Sequence, residues 1–128
     1  MITAGGIPHV IDYQGARMAP AAYDVASILW DPYYRLDDGV RERLTAYYVG
    51  EMAKQSAGFN EKLFRESLIP CRLQRHMQAL GAYGFLSAVK GKKYFLKHIP
   101  EALRLLKEET AAVKTEYPTL YELVRGIG

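Results

Sequence analysis

A single cysteine, Cys71, stands in a chain of 128 residues, which excludes an internal disulfide. The lack of a second cysteine and of clustered histidines argues against a structural zinc site as well. Cys71 is therefore expected as an ordinary core residue. Long hydrophobic runs are also missing. The longest nearly apolar stretch, residues 80–89, holds two glycines and a serine and falls far short of the ~20 residues that span a bilayer. The opening Met1-Ile2-Thr3-Ala4-Gly5-Gly6 has neither the basic start nor the apolar centre of a secretory signal. A cytoplasmic location with no membrane partner is the expectation. The chain likewise lacks a block of one charge. Its net charge is +3 with an isoelectric point near 9.0, but acids and bases alternate along it, which argues against a nucleic-acid partner.

What remains is 49% hydrophobic and 24% charged, the composition of a globular chain, and no linker or repeat divides it. The reading is a single domain over 1–128, mainly α, with a β-hairpin segment at 1–19 and a helical subdomain at 20–128. Gly5-Gly6 marks a turn between two short strands, the second over residues 8–13, where Val10 and Ile11 lead to Asp12 at the strand end. From Pro20, the residues Ala21, Tyr23, Val25, Ala26, Ile28, Leu29 and Trp30 form a short apolar helix stopped by Asp31-Pro32. Such a helix should be buried on most sides. Asp37 or Asp38 opens a longer helix with an apolar face at Val40, Leu44, Tyr47, Tyr48 and Met52, while Arg41, Glu42 and Arg43 face water. Asn60 caps a third helix carrying Leu63, Phe64 and Leu68, which Pro70 kinks or splits before Leu73, Met77 and Leu80. Gly81 and Gly84 suggest close helix contact. Lys90 to Lys93 is a solvated turn, and its lysines, with Lys97, Tyr94 and Phe95 nearby, are a wet surface rather than a phosphate-binding patch. Pro100 starts a helix with a buried face of Leu103, Leu106, Thr110 and Val113. A last short helix runs over residues 118–125.

Two carboxylates stand out. Asp12 follows a strand, where it serves as a turn former, a helix cap or a metal ligand. Asp24 interrupts an apolar helix, where an unpaired carboxylate is costly, so it should accept hydrogen bonds from a neighbour such as Arg17. The three histidines share no ligand spacing and are read as surface or locally hydrogen-bonded groups.

The run His9-Val10-Ile11-Asp12-Tyr13-Gln14-Gly15-Ala16-Arg17, followed by Pro20-Ala21-Ala22-Tyr23-Asp24-Val25-Ala26-Ser27, resembles the aminoglycoside phosphotransferase family. There a hydrophobic pair and an Asp close a strand ahead of a helix that opens with Tyr-Asp. Leu73-Gln74-Arg75-His76-Met77-Gln78-Ala79-Leu80-Gly81-Ala82-Tyr83, and Tyr94-Phe95-Leu96 before Ile99-Pro100, are similar to the bacterial branch that phosphorylates amino sugars of cell-wall recycling, the N-acetylmuramate and N-acetylglucosamine kinases. The resemblance implies the C-terminal helical lobe of a protein-kinase-like fold, with ATP and Mg²⁺ as cofactors of the complete enzyme and a sugar hydroxyl as acceptor. It assigns Mg²⁺ binding to Asp12 and support of the catalytic loop to Asp24, and makes Gln14, Arg72 and Arg75 the candidates to face the sugar. The other reading of Arg72 and Arg75 is the wet side of a helix whose opposite side is Leu73, Met77 and Leu80.

The departures are as informative as the matches. The family's catalytic loop sets a His, an Asp two positions on and an Asn five after that. Here His9 precedes Asp12 by three, and Asn60 is the sole asparagine. A glycine-rich loop with its strand lysine is missing too. No catalytic residue is therefore expected in this chain, which reads as a truncated lobe, inactive alone and holding neither cofactor tightly. A surface around Ile11, Tyr13, Tyr23 and Trp30 should be left apolar and prone to self-association. The alternatives are a helical binding or oligomerisation module derived from the same fold, and a split enzyme completed by another chain.

Overall fold

The computed structural model describes residues 2–9 and 18–128. The order of elements is helix α1 (Ala21–Leu29), α2 (Asp38–Gln55), α3 (Glu61–Ala88), a 3-10 turn (Lys93–His98), α4 (Ile99–Ala112) and α5 (Pro118–Arg125). The mainly α class is thus observed. Among the described residues the expected hairpin is reduced to one antiparallel bridge between Ile2 and Pro8. Gly6 turns there with φ of 76°, in the left-handed region that glycine enters at no steric cost, and its N–H bonds to the Thr3 carbonyl at 2.9 Å. Residues 10–13 lie outside the described residues.

Local chemistry sets the helix starts. Asp37 caps α2, its Oδ1 accepting from the Gly39 N–H at 2.8 Å and the Val40 N–H at 3.3 Å. Asn60 caps α3 through the Leu63 N–H at 3.0 Å. Each satisfies amides that the first helical turn leaves free. Pro100 and Pro118 fall at the first positions of α4 and α5, where a missing N–H costs nothing.

α3 is the spine. It runs 28 residues without a break through Pro70, so of the expected kink or split the split does not occur: the ring removes one hydrogen bond to the Glu66 carbonyl, and contacts on both sides hold the helix together. α1 and α4 both pack along α3, and α5 packs on α4. Ala22, Val25, Ala26 and Leu29 of α1 meet Phe64, Leu68 and Cys71 of α3 with Val49 of α2 and Trp30. Cys71 is a core residue as expected. A second cluster joins Leu73, Leu106, Val113 and Val124, and a third joins Ala79, Tyr83 and Ala102. The buried face of α4 includes Leu106 and Thr110, with Val113 buried just past its end, but Ala102 and Leu105 take the place expected of Leu103.

Two expectations are corrected. Gly81 and Gly84 mark no close approach, since a Cβ on either would meet nothing within 4 Å. α1 is buried or half-buried on most sides as expected, apart from a narrow exposed strip of Ala21, Asp24 and Ile28. α2 is rotated relative to its apolar pattern: Arg41, Thr45 and Val49 face inward, while Leu44 and Tyr47 are exposed. The reason is that Arg41 has work to do inside. Its Nε donates to the Leu29 carbonyl at 2.9 Å, supplying a partner to the carbonyl end of α1, where backbone acceptors are unsatisfied and the helix dipole favours a cation. Among the described residues, no helix is long and apolar enough to cross a membrane.

Candidate functional site

Trp30, at the end of α1, lies beneath two guanidinium groups. The Arg72 Cζ stands 4.6 Å from the indole centroid and the Arg41 Cζ 5.3 Å, within the range of cation–π attraction. The expected exposure of Trp30 is therefore corrected: it is buried, roofed by arginines from α2 and α3. Tyr23 is half-buried, its hydroxyl hydrogen-bonded to the Gln78 Oε1, and Ile11 and Tyr13 lie outside the described residues.

The arginines line a cavity of about 520 Å³ between α2, α3 and α4. Arg41 is also paired with Asp38 at 2.9 Å, and Arg72 with Glu109 at 3.0 Å. At the mouth, Arg35 bonds Glu108 at 3.0 Å and Arg65 bonds Glu42 at 3.1 Å. Burial lowers the Arg72 pKa, with Arg41 adding to the effect and Glu109 opposing it. Burial also holds the Glu109 carboxyl above the usual carboxylate range against the pull of Arg72 and Arg41. Both directions follow from the cost of charge away from water.

The sequence-derived candidates separate. Arg72 lines this cavity, whereas Arg75 does not; it pairs instead with Asp31 at 3.6 Å. Neither lies on a wet helix face, since both are half-buried. Asp24 is exposed in the first turn of α1, where the helix dipole favours a carboxylate, and it makes no hydrogen bond or ion pair among the described residues. The cost expected of an unpaired carboxylate does not arise here, because water reaches it, and Arg17 lies outside the described residues. Asp12 and Gln14 lie outside the described residues. Among the described residues no three His, Cys, Asp or Glu side chains gather as a metal site.

No protein-family model, curated protein or solved structure matches the chain.

Sequence reasoning missed two groups. Arg41 was placed in water with its charged neighbours, and the only signal for its burial was that α1 ends without a basic residue in its last turn. His76 is the second. It is fully buried and neither ring nitrogen has a hydrogen-bond partner, which corrects its reading as a surface or locally bonded group. Its pKa is pushed down to about 4, by burial first and then by Arg72, Arg41 and Arg75, with Asp31 opposing. Nearby, Tyr33 meets Tyr83 edge-on at 5.6 Å and His98 at 4.4 Å, joining the loop after α1 to the 3-10 turn. Burial raises the Tyr83 pKa, and Tyr33 raises it further.

Proposed function

We propose that this chain is the acceptor-side helical lobe of an ATP-dependent cytoplasmic phosphotransferase acting on an amino-sugar or aminoglycoside hydroxyl. The catalytic loop and nucleotide-clamping lobe that such an enzyme needs are not among these 128 residues. The observation that supports this reading is the His9 to Ser27 run together with the unpartnered outer strip of α1, where the Asp24 carboxylate lies one turn from Ile28, 71% exposed. In a complete enzyme the catalytic loop covers this strip and Asp24 accepts its backbone amides. Asp12 offers the hard carboxylate oxygens that Mg²⁺ takes. That ion, when bound, neutralises charge on the transferring phosphate oxygens. Asp24 holds the loop in place, and Gln14 and Arg75 orient the sugar, Arg75 being fixed by Asp31.

Taken alone the lobe is inactive, because the proton acceptor and phosphate clamp supply the positioning and electrostatic terms that dominate phosphoryl transfer. The test is Mg²⁺-dependent conversion of ATP and a panel of amino sugars by this chain and by a version joined to a catalytic-loop lobe. Product from the joined protein only, lost on Asp12→Ala, is the expected result. Turnover by the lobe alone, or none by either folded protein, would refute the assignment.

A second reading rests on exposed apolar side chains. Ile28 on α1, and Leu44 and Tyr47 on α2, are exposed, which suits a helical binding or oligomerisation module. Sedimentation at increasing concentration is expected to show self-association. A strictly monomeric chain would remove that expectation.

A further inference from the structure

The arginine-lined cavity holds three buried donors with nothing to bond. Arg41 is 5% exposed and Thr45 2%; the Arg41 Nη2, the Thr45 Oγ1 and the Arg72 Nε have no hydrogen-bond partner. All three residues line the cavity. Thr45 is telling because a helical threonine ordinarily turns its hydroxyl back to the preceding turn. Thr110, equally buried, does so, bonding the Leu106 carbonyl at 2.9 Å. Thr45 forgoes that bond. Buried polar groups are nearly always satisfied, and an unsatisfied donor beside a guanidinium costs most where water is scarce.

The cavity's charge has the same implication. Of its charged lining, Arg41 is buried and Arg72 and Glu109 are half-buried, two cations to one anion. Asp38, Glu42 and Glu108 also line it, but their carboxylates reach solvent, where water screens them. Arg35 and Arg65 at the rim are each engaged by carboxylates. The volume fits a small organic ligand rather than a bare ion, and Trp30, Leu68, Ile69 and Ala112 give it apolar wall.

We infer that the cavity between α2, α3 and α4 is a binding site for the oxyanion group of a small molecule, a phosphate ester or carboxylate, held by Arg41, Arg72 and Thr45 over the Trp30 ring. The inference does not rest on the phosphotransferase reading: the cavity is lined by none of Asp24, Tyr23, Gln78 or Arg75. Both oxyanions accept from guanidinium forks, and phosphate, with more acceptor oxygens, answers three donors from two helices best.

Trp30 is the chain's sole tryptophan, so its fluorescence reports the site directly. Inorganic phosphate, acetate and chloride are to be titrated into the full chain at matched ionic strength. The expected result is a saturable change with phosphate or acetate, absent with chloride, and weakened about 10-fold or more in Thr45→Val and Arg72→Gln. Phosphate binding tighter than acetate identifies the phosphate ester, and the reverse the carboxylate. Thr45→Val keeps the side-chain shape and serves alone if Arg72→Gln fails to fold. Equal responses to all three salts, or unchanged binding in Thr45→Val, would overturn the site.

Discussion

Replacing His76 with methionine should flatten the acid limb of the protein's stability profile. His76 is fully buried in α3, and its pKa in the folded chain, about 4, lies below the ~6.5 of an unfolded histidine. Between those values the unfolded state takes up a proton that the folded state refuses. Stability from this residue is thus fully present above the unfolded pKa and is lost as pH falls, levelling off below the folded one. At ~1.4 kcal/mol per pH unit, the whole gap amounts to roughly 3 kcal/mol, of which about 2 kcal/mol is lost between pH 8 and pH 5. The charges that depress it, Arg72, Arg41 and Arg75, stay ionised throughout this window, while Glu109, whose pKa is raised, acts in the opposite sense. Comparison of the two proteins cancels the contribution of Glu109. Urea unfolding of both at several pH values should show His76→Met gaining about 2 kcal/mol on the parent between pH 8 and pH 5. At neutral pH it should be at least as stable, because two unbonded ring nitrogens are replaced by an apolar chain of similar reach. Parallel profiles would refute the reasoning and place a proton or a partner on the imidazole.

Leu105 of α4 is 1% exposed, and Leu105→Ala should cost about 2–5 kcal/mol in urea unfolding, transfer and cavity terms together; a loss under about 1 kcal/mol would show that the site collapses freely. Pro70 sits exposed inside α3, so Pro70→Ala restores a backbone hydrogen bond without removing core contacts. It should raise stability by about 1–3 kcal/mol, and a lower melting temperature would contradict this.

Local chemistry was readable in the sequence. Asp37, Asn60, Pro100 and Pro118 act within a turn of their own position, so the helix starts they mark, and α5 over Pro118–Arg125, are where their residue types place them. What failed depends on contacts far along the chain. α2 turns an arginine inward because the Leu29 carbonyl and the Trp30 face lie 12 and 11 positions away, a relation no periodic pattern encodes. Pro70 fails to split α3 because tertiary contacts on both flanks outweigh its local cost. Gly81 and Gly84 imitate a close-contact signal that no neighbour answers. The cavity was hidden for the same reason as Arg41: its donors come from α2 and α3, and only Arg72 was singled out from sequence, for a different role. Asp24 was singled out as well, but its need for an internal partner was assumed from apolar neighbours that lie on the other side of its helix.

The most direct measurement is phosphorylation of an amino sugar by ATP and Mg²⁺, followed by phosphorus NMR, with this chain joined to a catalytic-loop lobe and with the same protein carrying Asp12→Ala. A sugar phosphate formed by the first and abolished in the second is predicted. Folded protein that forms no sugar phosphate, or an Asp12→Ala variant that retains full turnover, would contradict the phosphotransferase assignment.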